Sequence, residues 1–330
     1  MLPPRRLTSH VVLYHATFSD PPESLRQGLH NVPPASVTDQ LQWLADRFDI
    51  VPIDEWFRAP DRRGLASITF DDAYLSVFRE ALPALRSLGL PATVFVNGCT
   101  LEGQVFWRDK IRWLVNTGQA DAFLASLRTG HPLRGVPATA LYAASKRPGL
   151  NSRIVDEAVD AFLIAQGIEA PDVGQHCARD ADDLPTDPLL TYGNHTYSHY
   201  VMSSLTPEEQ DREIERNERL LDDLGVARSH VLSLPFGDLA AFDEHTLRIA
   251  RRHGLVGALL SRDRLNFGRK LQTLHGVAVC ERYMAPLDLP SFRSMVAKMV
   301  FLHPPARSAR RLARRLLGSS AASQGGQSAG

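Results

Sequence analysis

Apolar and polar positions fall into two rhythms along the chain. Val11-Val12-Leu13-Tyr14 is a short continuous apolar run, which predicts a buried strand, and Ser19-Asp20-Pro21-Pro22 predicts the loop behind it. Leu41, Leu44, Ala45 and Phe48 keep helical spacing, with Thr38 or Asp39 as the expected N-cap. A short strand is predicted at Ile50-Val51-Pro52-Ile53 and another from Leu65 to Phe70, running straight into Asp71-Asp72. Apolar residues at 74, 75, 78, 81, 82, 85 and 88 then predict a helix that stops at Gly89, before the strand Ala92 to Val96. Strand, helix, strand is the pattern of a parallel α/β architecture.

From about 100 to 190 the rhythm breaks. Trp107 to Val115 and Ile154 to Ile164 read as helices, but the connections are long and rich in Pro, Gly and Asp. This stretch is expected to be a mostly helical insertion in one βα unit. The α/β pattern resumes at Thr191-Tyr192-Gly193-Asn194-His195. A helix follows from Pro207 to about Leu224, with Thr206 and Glu209 forming a capping box. The strand Val231 to Leu234 ends at Pro235-Phe236-Gly237-Asp238; a helix from about Asp243 to His253 and a strand from Val256 to Leu260 complete the reading.

Composition narrows the class. With 330 residues, 44% hydrophobic and 22% charged, wholesale disorder is excluded. No apolar stretch approaches the roughly 18 residues that cross a bilayer, and the first apolar run is too short for a signal-peptide core. Cys99, Cys177 and Cys280 are odd in number and far apart, against a disulfide framework. A cytoplasmic protein is expected. Lys+Arg and Asp+Glu both total 37, so no overall field favours nucleic acid. Seven basic residues and no acidic one lie between 291 and 330, so the first 290 carry a net formal charge of −7. Arg307, Arg310, Arg311, Arg314 and Arg315 share a potential helix with Leu312, Leu316 and Leu317. Peripheral contact with anionic lipid is one reading of it; a solvated helix closing the barrel, or a disordered arm, is the other.

In parallel α/β barrels the reactive residues sit where strands end. His15, Asp71-Asp72, His195 with His199, and Pro235-Phe236-Gly237 all lie at predicted strand ends. Singly, each has a plain reading: a core histidine, a helix-capping Asp pair, a chance His-x-x-x-His, a turn. Together they are chemically coherent. Two imidazoles four residues apart would project from one side of a helical turn, and one carboxylate completes a three-ligand metal site with open positions. The second carboxylate is then free to act as a general base.

Ile68-Thr69-Phe70-Asp71-Asp72 and Gly193-Asn194-His195-Thr196-Tyr197-Ser198-His199 resemble the first two motifs of the polysaccharide deacetylases (carbohydrate esterase family four, with the NodB-like homology domain), and Ser233-Leu234-Pro235-Phe236-Gly237 resembles the third. The resemblance implies a distorted (β/α) barrel with fewer than eight strands, expected here as about seven parallel ones. It implies Asp71 as catalytic base and Asp72, His195 and His199 as metal ligands. The Phe236 N–H would face the oxyanion, while Thr196 braces the histidine loop. Thr196, Pro235 and Tyr14 are expected to border the substrate. The implied reaction removes an N-acetyl group from a saccharide, with Zn²⁺ the best-fitting ion and Co²⁺, Ni²⁺ or Fe²⁺ also compatible.

Three departures stand out. Ala73 occupies the position after the paired Asp where the family usually has Gly. Ser233 stands where the family usually has an Arg that orients the base. The late Leu-x-His motif that supplies the general acid is missing after Gly257; Leu13-Tyr14-His15 offers the pattern at the front, as in deacetylases that resemble a circular permutation, and Leu302-His303 is a poorer substitute. His15 is therefore the expected acid. The alternatives are an O-acyl esterase or non-sugar amidase on the same fold, or a non-catalytic saccharide-binding relative. The expected layout is a barrel over 1–290 with the insertion at 100–190, a basic helical segment at 291–317, and a disordered tail at 318–330.

Overall fold

The computed structural model describes residues 8–168 and 172–302. Seven parallel strands carry the fold: β1 (Thr8–Tyr14), β2 (Leu65–Asp71), β3 (Ala92–Val96), β4 (Leu190–Asn194), β5 (Arg228–Ser233), β6 (Gly257–Ser261) and β7 (Val277–Met284). Each pairs with the next, and β1 pairs with both β7 and β2, so the sheet closes into a barrel. Val12 lies opposite Tyr283 on one side and Ile68 on the other. Strands buried on both faces read as continuous apolar runs, which is why the sequence pattern found most of them. Short antiparallel pieces at Asn266–Phe267 and Gln272–Leu274 flank β1 and β7.

Side chains alternate in and out along each strand. Val11, Phe95, Val231, Leu259 and Cys280 cluster with Ile53, Trp56 and Phe57, the apolar side of the short helix Ile53–Arg58. Two residues further along their strands come Leu13, Ser233, Ser261 and Arg282. Thus one end of the barrel is plugged with hydrocarbon and the other carries the chemistry. Gly193 belongs to this packing: a Cβ there would meet the Phe95 ring at 2.5 Å.

The outer helices include Pro34–Ala45, Pro207–Asp223 and Glu244–Arg252. The Thr206–Glu209 capping box forms as expected. The first helix starts earlier than Thr38 or Asp39 suggested, because Pro34 stands at its first position, where a missing N–H costs nothing. The strand predicted at 50–53 is confined to Asp49–Ile50, and Ile53 already opens the plugging helix. The insertion is helical, with Trp107–Asn116 and Ser152–Ala165 its main helices. β7 was not anticipated.

The helix Leu289–Leu302 packs Phe292 against Trp43, ring centroids 5.6 Å apart. The remainder of the basic segment, the tail at 318–330 and His303 lie outside the described residues. All three cysteines are free and buried, and no described helix is long and apolar enough to cross a membrane.

Candidate active site

Asp72, His195 and His199 converge beyond the ends of β2 and β4. Their ligand atoms lie within 4.8 Å of one another, and all three residues are buried. His195 Nε2 is 3.5 Å and His199 Nε2 is 3.7 Å from Asp72 Oδ1. These separations are too long for hydrogen bonds. Asp72 Oδ1 and His195 Nε2 have no hydrogen-bond partner among the described residues although both are buried. Orphaned buried polar atoms carry a desolvation cost, which a shared cation would relieve. His195 Nδ1 donates to the Ser233 carbonyl at 2.8 Å, which leaves the Nε2 lone pair toward Asp72. Burial lowers both imidazoles, His199 further through His195 and Arg108, so both are neutral and able to ligate. Burial and the neighbouring Asp71 push the Asp72 carboxyl well above its ordinary range, outweighing the opposing charges of Arg112 and Arg108. The donor set fits a divalent metal ion.

The two histidines do not share a helical turn. His195 follows β4 directly, and Thr196 (φ 63°) and His199 (φ 57°) take left-handed backbone conformations. A knot of hydrogen bonds brings the rings together instead. The Thr196 hydroxyl accepts from the His199 N–H at 3.1 Å, and Asn194 Oδ1 accepts from the Thr196 N–H at 2.7 Å. Asn97 donates to the His195 carbonyl and the Trp107 indole to the His199 carbonyl, each at 2.9 Å. Six of the seven non-glycine positive-φ residues among those described are Asp72, Ala73, Thr196, His199, Phe236 and Asp263. Each such residue costs on the order of 1–3 kcal/mol, so backbone strain is gathered at this end of the barrel. Ala73, at φ 48°, adopts the conformation for which Gly is the easier choice.

Asp71 has a different environment. Arg282, fully buried, makes two parallel hydrogen bonds to it, Nη1 to Oδ1 at 2.9 Å and Nη2 to Oδ2 at 2.8 Å. Nη2 also donates to the hydroxyls of Ser233 at 2.8 Å and Ser261 at 2.9 Å. Burial alone would raise the Asp71 carboxyl; the charge and hydrogen bonds of Arg282 outweigh it and hold the group below the usual carboxylate range. The arginine missing at 233 is thus supplied from β7. An arginine at 233 would compete for the volume Arg282 fills. Sequence reading missed Arg282 because β7 went unread, although the apolar run Val277 to Cys280 preceding it was available as a signal.

His15 ends β1 and meets His30, Nδ1 to Nδ1 at 3.0 Å. His30 Nε2 lies 2.7 Å from the Ala285 carbonyl, which can only accept. His30 therefore donates through Nε2 and accepts through Nδ1, so His15 donates through Nδ1 and keeps Nε2 free. Burial first, then His30, holds His15 well below the ordinary imidazole range. The Phe236 N–H has no hydrogen-bond partner among the described residues, and the Phe236 ring sits 4.8 Å from that of His199. Gly237 (φ 57°) lies against β6, where a Cβ would come within 2.4 Å of the Ser261 nitrogen.

A cavity of about 330 Å³ joins these groups, within the usual range for small-ligand sites. His15, Asp71, Asp72, His195, His199 and Phe236 line it, as do Phe106, Arg108, Arg112, Tyr142 and Lys146 of the insertion. Three expected substrate contacts do not. Tyr14 faces the packed wall: it is fully buried, donates to Gln40 Oε1 at 2.9 Å and stacks on Phe70. Its place in the inward–outward alternation, opposite to that of Leu13, accounts for this. Thr196 and Pro235 are buried behind the cavity surface, and Thr196 acts as a brace for the histidine loop.

The polysaccharide deacetylase family model matches residues 58–121 and 162–258. The match contains Asp71, Asp72, His195, His199 and Phe236 and leaves out β1, residues 122–161 and β7. No curated protein sequence matches the chain. Among solved structures it is similar to the deacetylase PplD from Streptococcus pyogenes in complex with acetate, with TM-score 0.51 and 16% identity over 88% of this chain and 98% of that one. It is also similar to IcaB from Ammonifex degensii, with TM-score 0.50 and 16% identity over 88% of this chain and 96% of that one. The polysaccharide deacetylase BC0361 from Bacillus cereus gives TM-score 0.50 and 14% identity over 88% and 69%. At these identities the structural likeness is one of fold. The motif residues lie in the matched segments and the closed seven-stranded barrel surrounds them, so the chain is similar to the polysaccharide deacetylase family in both its motifs and its fold.

Proposed function

We propose that the chain is a metal-dependent hydrolase that removes an N-acetyl group from a saccharide. The observation that carries this reading is the pairing of two unlike carboxylates. Asp72 faces His195 and His199 without a hydrogen-bond partner at Oδ1 among the described residues, and Asp71 beside it is kept ionised by Arg282.

Asp72, His195 and His199 would hold the ion, with Zn²⁺ suited to two imidazoles and a carboxylate, and Co²⁺, Ni²⁺ or Fe²⁺ compatible. When bound, a divalent cation supplies Lewis-acid chemistry, acidifying water and polarising a carbonyl. The protein groups do the rest. Asp71, ionised and fixed by two hydrogen bonds, accepts the proton of the attacking water. The free N–H of Phe236 donates to the acetyl oxygen as negative charge develops there; in other enzymes loss of one such donor costs about 10²–10³ in rate. His15 faces the cavity through Nε2. Its lowered pKa makes its protonated form a strong acid, suited to deliver a proton to the departing sugar nitrogen. The products are an amino sugar and acetate. His15 at the end of β1 fills the acid position that the motif resemblance left vacant at the C-terminal side.

The test is metal analysis of the purified protein together with acetate release from a panel of N-acetylated sugar oligomers. Asp71→Asn is expected to retain the ion and lose about 10²–10⁴ in kcat. Full turnover in that variant, or metal-free protein with full activity, would overturn the reading.

A further inference from the structure

The insertion walls one side of the cavity with cations. Arg108, Arg112 and Lys146 all line it. Arg112 is matched by a buried ion pair with Asp109. Arg108 has no such partner among the described residues. It is 1% exposed, donates to Ser145 Oγ at 2.8 Å and to the Tyr142 carbonyl at 3.0 Å, and leaves Nε without a partner. Its guanidinium stacks 4.2 Å from the Tyr142 ring centroid and 4.7 Å from that of Trp107. All of these contacts are neutral. Lys146 is exposed and forms no ion pair with a described residue; its Nζ lies 5.4 Å from the Tyr142 ring and 5.6 Å from the Phe236 ring.

The carboxylates lining the same cavity are otherwise engaged. Asp71 is held by Arg282, Asp72 faces the histidines, and Asp263 accepts from the Met284 N–H. Burying a guanidinium without a carboxylate is expensive, and aromatic faces offset only part of the cost. Asp109 and Asp72 act on Arg108 only through space, without a direct ion pair, and two cations lining a binding cavity with no described carboxylate in contact point to an anion that arrives with the ligand. Neither cation contacts His195, His199 or Asp72 directly, and both lie near the Phe236 ring, which itself sits 4.8 Å from the His199 ring. Tyr142, Ser145 and Lys146 all lie in 122–161, outside the segments the family model matches.

Building on the deacetylase reading, we propose that the saccharide taken by this site is anionic, with a phosphate or carboxylate on or next to the N-acetyl sugar held by Lys146 and Arg108. Charge-assisted hydrogen bonds from Lys146 and from Arg108 would hold that group.

The experiment compares three substrates by acetate release: an N-acetylglucosamine disaccharide, a glycosyl phosphate of N-acetylglucosamine, and an N-acetylated disaccharide containing a uronic acid. Preference for one anionic substrate over the neutral one by about tenfold or more in kcat/KM is expected. The better of the two identifies phosphate or carboxylate. Lys146→Glu is expected to lower that preference about tenfold, chiefly through KM, while the same change at Lys270, exposed and outside the cavity lining, leaves it unchanged. Equal rates on neutral and anionic substrates, or a preference untouched by Lys146→Glu, would overturn the proposal. Calorimetric titration of the same sugars separates the two readings. If none releases acetate, the deacetylase reading fails, and anionic-sugar binding that Lys146→Glu abolishes still upholds the anion site. Lys146-dependent binding of acetate alone, with anionic sugars no tighter than neutral ones, would assign the wall to the product and overturn the proposal as well.

Discussion

Arg282 and Asp71 stand 211 residues apart in sequence and face each other inside the barrel through two parallel hydrogen bonds of 2.9 and 2.8 Å. The pair decides which of two adjacent carboxylates is a base. Asp72 has no hydrogen-bonded guanidinium among the described residues, and burial and Asp71 drive it toward its neutral form against the more distant Arg112 and Arg108, whereas Asp71 remains ionised.

Arg282→Gln therefore has a signed consequence. Without the guanidinium the anionic form of Asp71 loses its support, its pKa rises, and the acid limb of the kcat/KM profile moves to higher pH. Activity is expected to fall about 10–100-fold, and stability by about 3–5 kcal/mol, because one partner of a buried ion pair remains. Arg282→Lys should recover part of both. An acid limb that stays in place would remove Asp71 from the role of base.

His30 gives His15 a neutral partner. Burial and His30 lower the pKa of His15, so the rate is expected to decline as pH rises past that lowered value. His30→Asp puts a negative charge beside His15, favours its protonated form, and should carry the alkaline limb to higher pH. A pH–rate profile of the variant checks this, and an unmoved limb would exclude His15 as the acid.

Metal binding should also register as stability. An ion that binds only the folded chain adds about 2.7 kcal/mol at a hundredfold excess over its dissociation constant. Adding Zn²⁺ to chelator-treated protein is expected to raise Tm, and Asp72→Asn or His199→Gln to abolish the rise. A Tm indifferent to Zn²⁺ would count against the three-residue site.

His10 makes a separate prediction on folding. Its ring is buried between Thr8 Oγ1 and the Tyr283 hydroxyl, and burial lowers its pKa to about 3. The unfolded chain, with an imidazole near 6.5, binds the proton first. The stability this residue contributes is complete above about pH 6.5 and is lost as pH falls toward 3. Between pH 7 and pH 5, His10→Asn should lose about 2 kcal/mol less than the parent protein in denaturant titrations. Equal losses would show that His10 is not a source of the acid sensitivity.

How far the chain could be read without coordinates follows from where each signal is stored. The strands, the capping box at Thr206 and the helical character of the insertion lie in local apolar spacing and local hydrogen bonding, which operate over a few residues. Asp71, Asp72, His195, His199 and Phe236 were legible because strand ends in a parallel barrel share one face. Three things were settled only by long-range packing. Tyr14 turned into the wall because strand alternation assigns it outward. The histidine loop left the helical path because Asn97, Asn194, Thr196 and Trp107 hold it in a left-handed conformation. The guanidinium for Asp71 came from Arg282 on β7, and the cationic wall from the insertion. Closing the barrel brings β7 beside β1 and folds the insertion over the mouth; sequence order carries no record of which distant side chains then share a cavity.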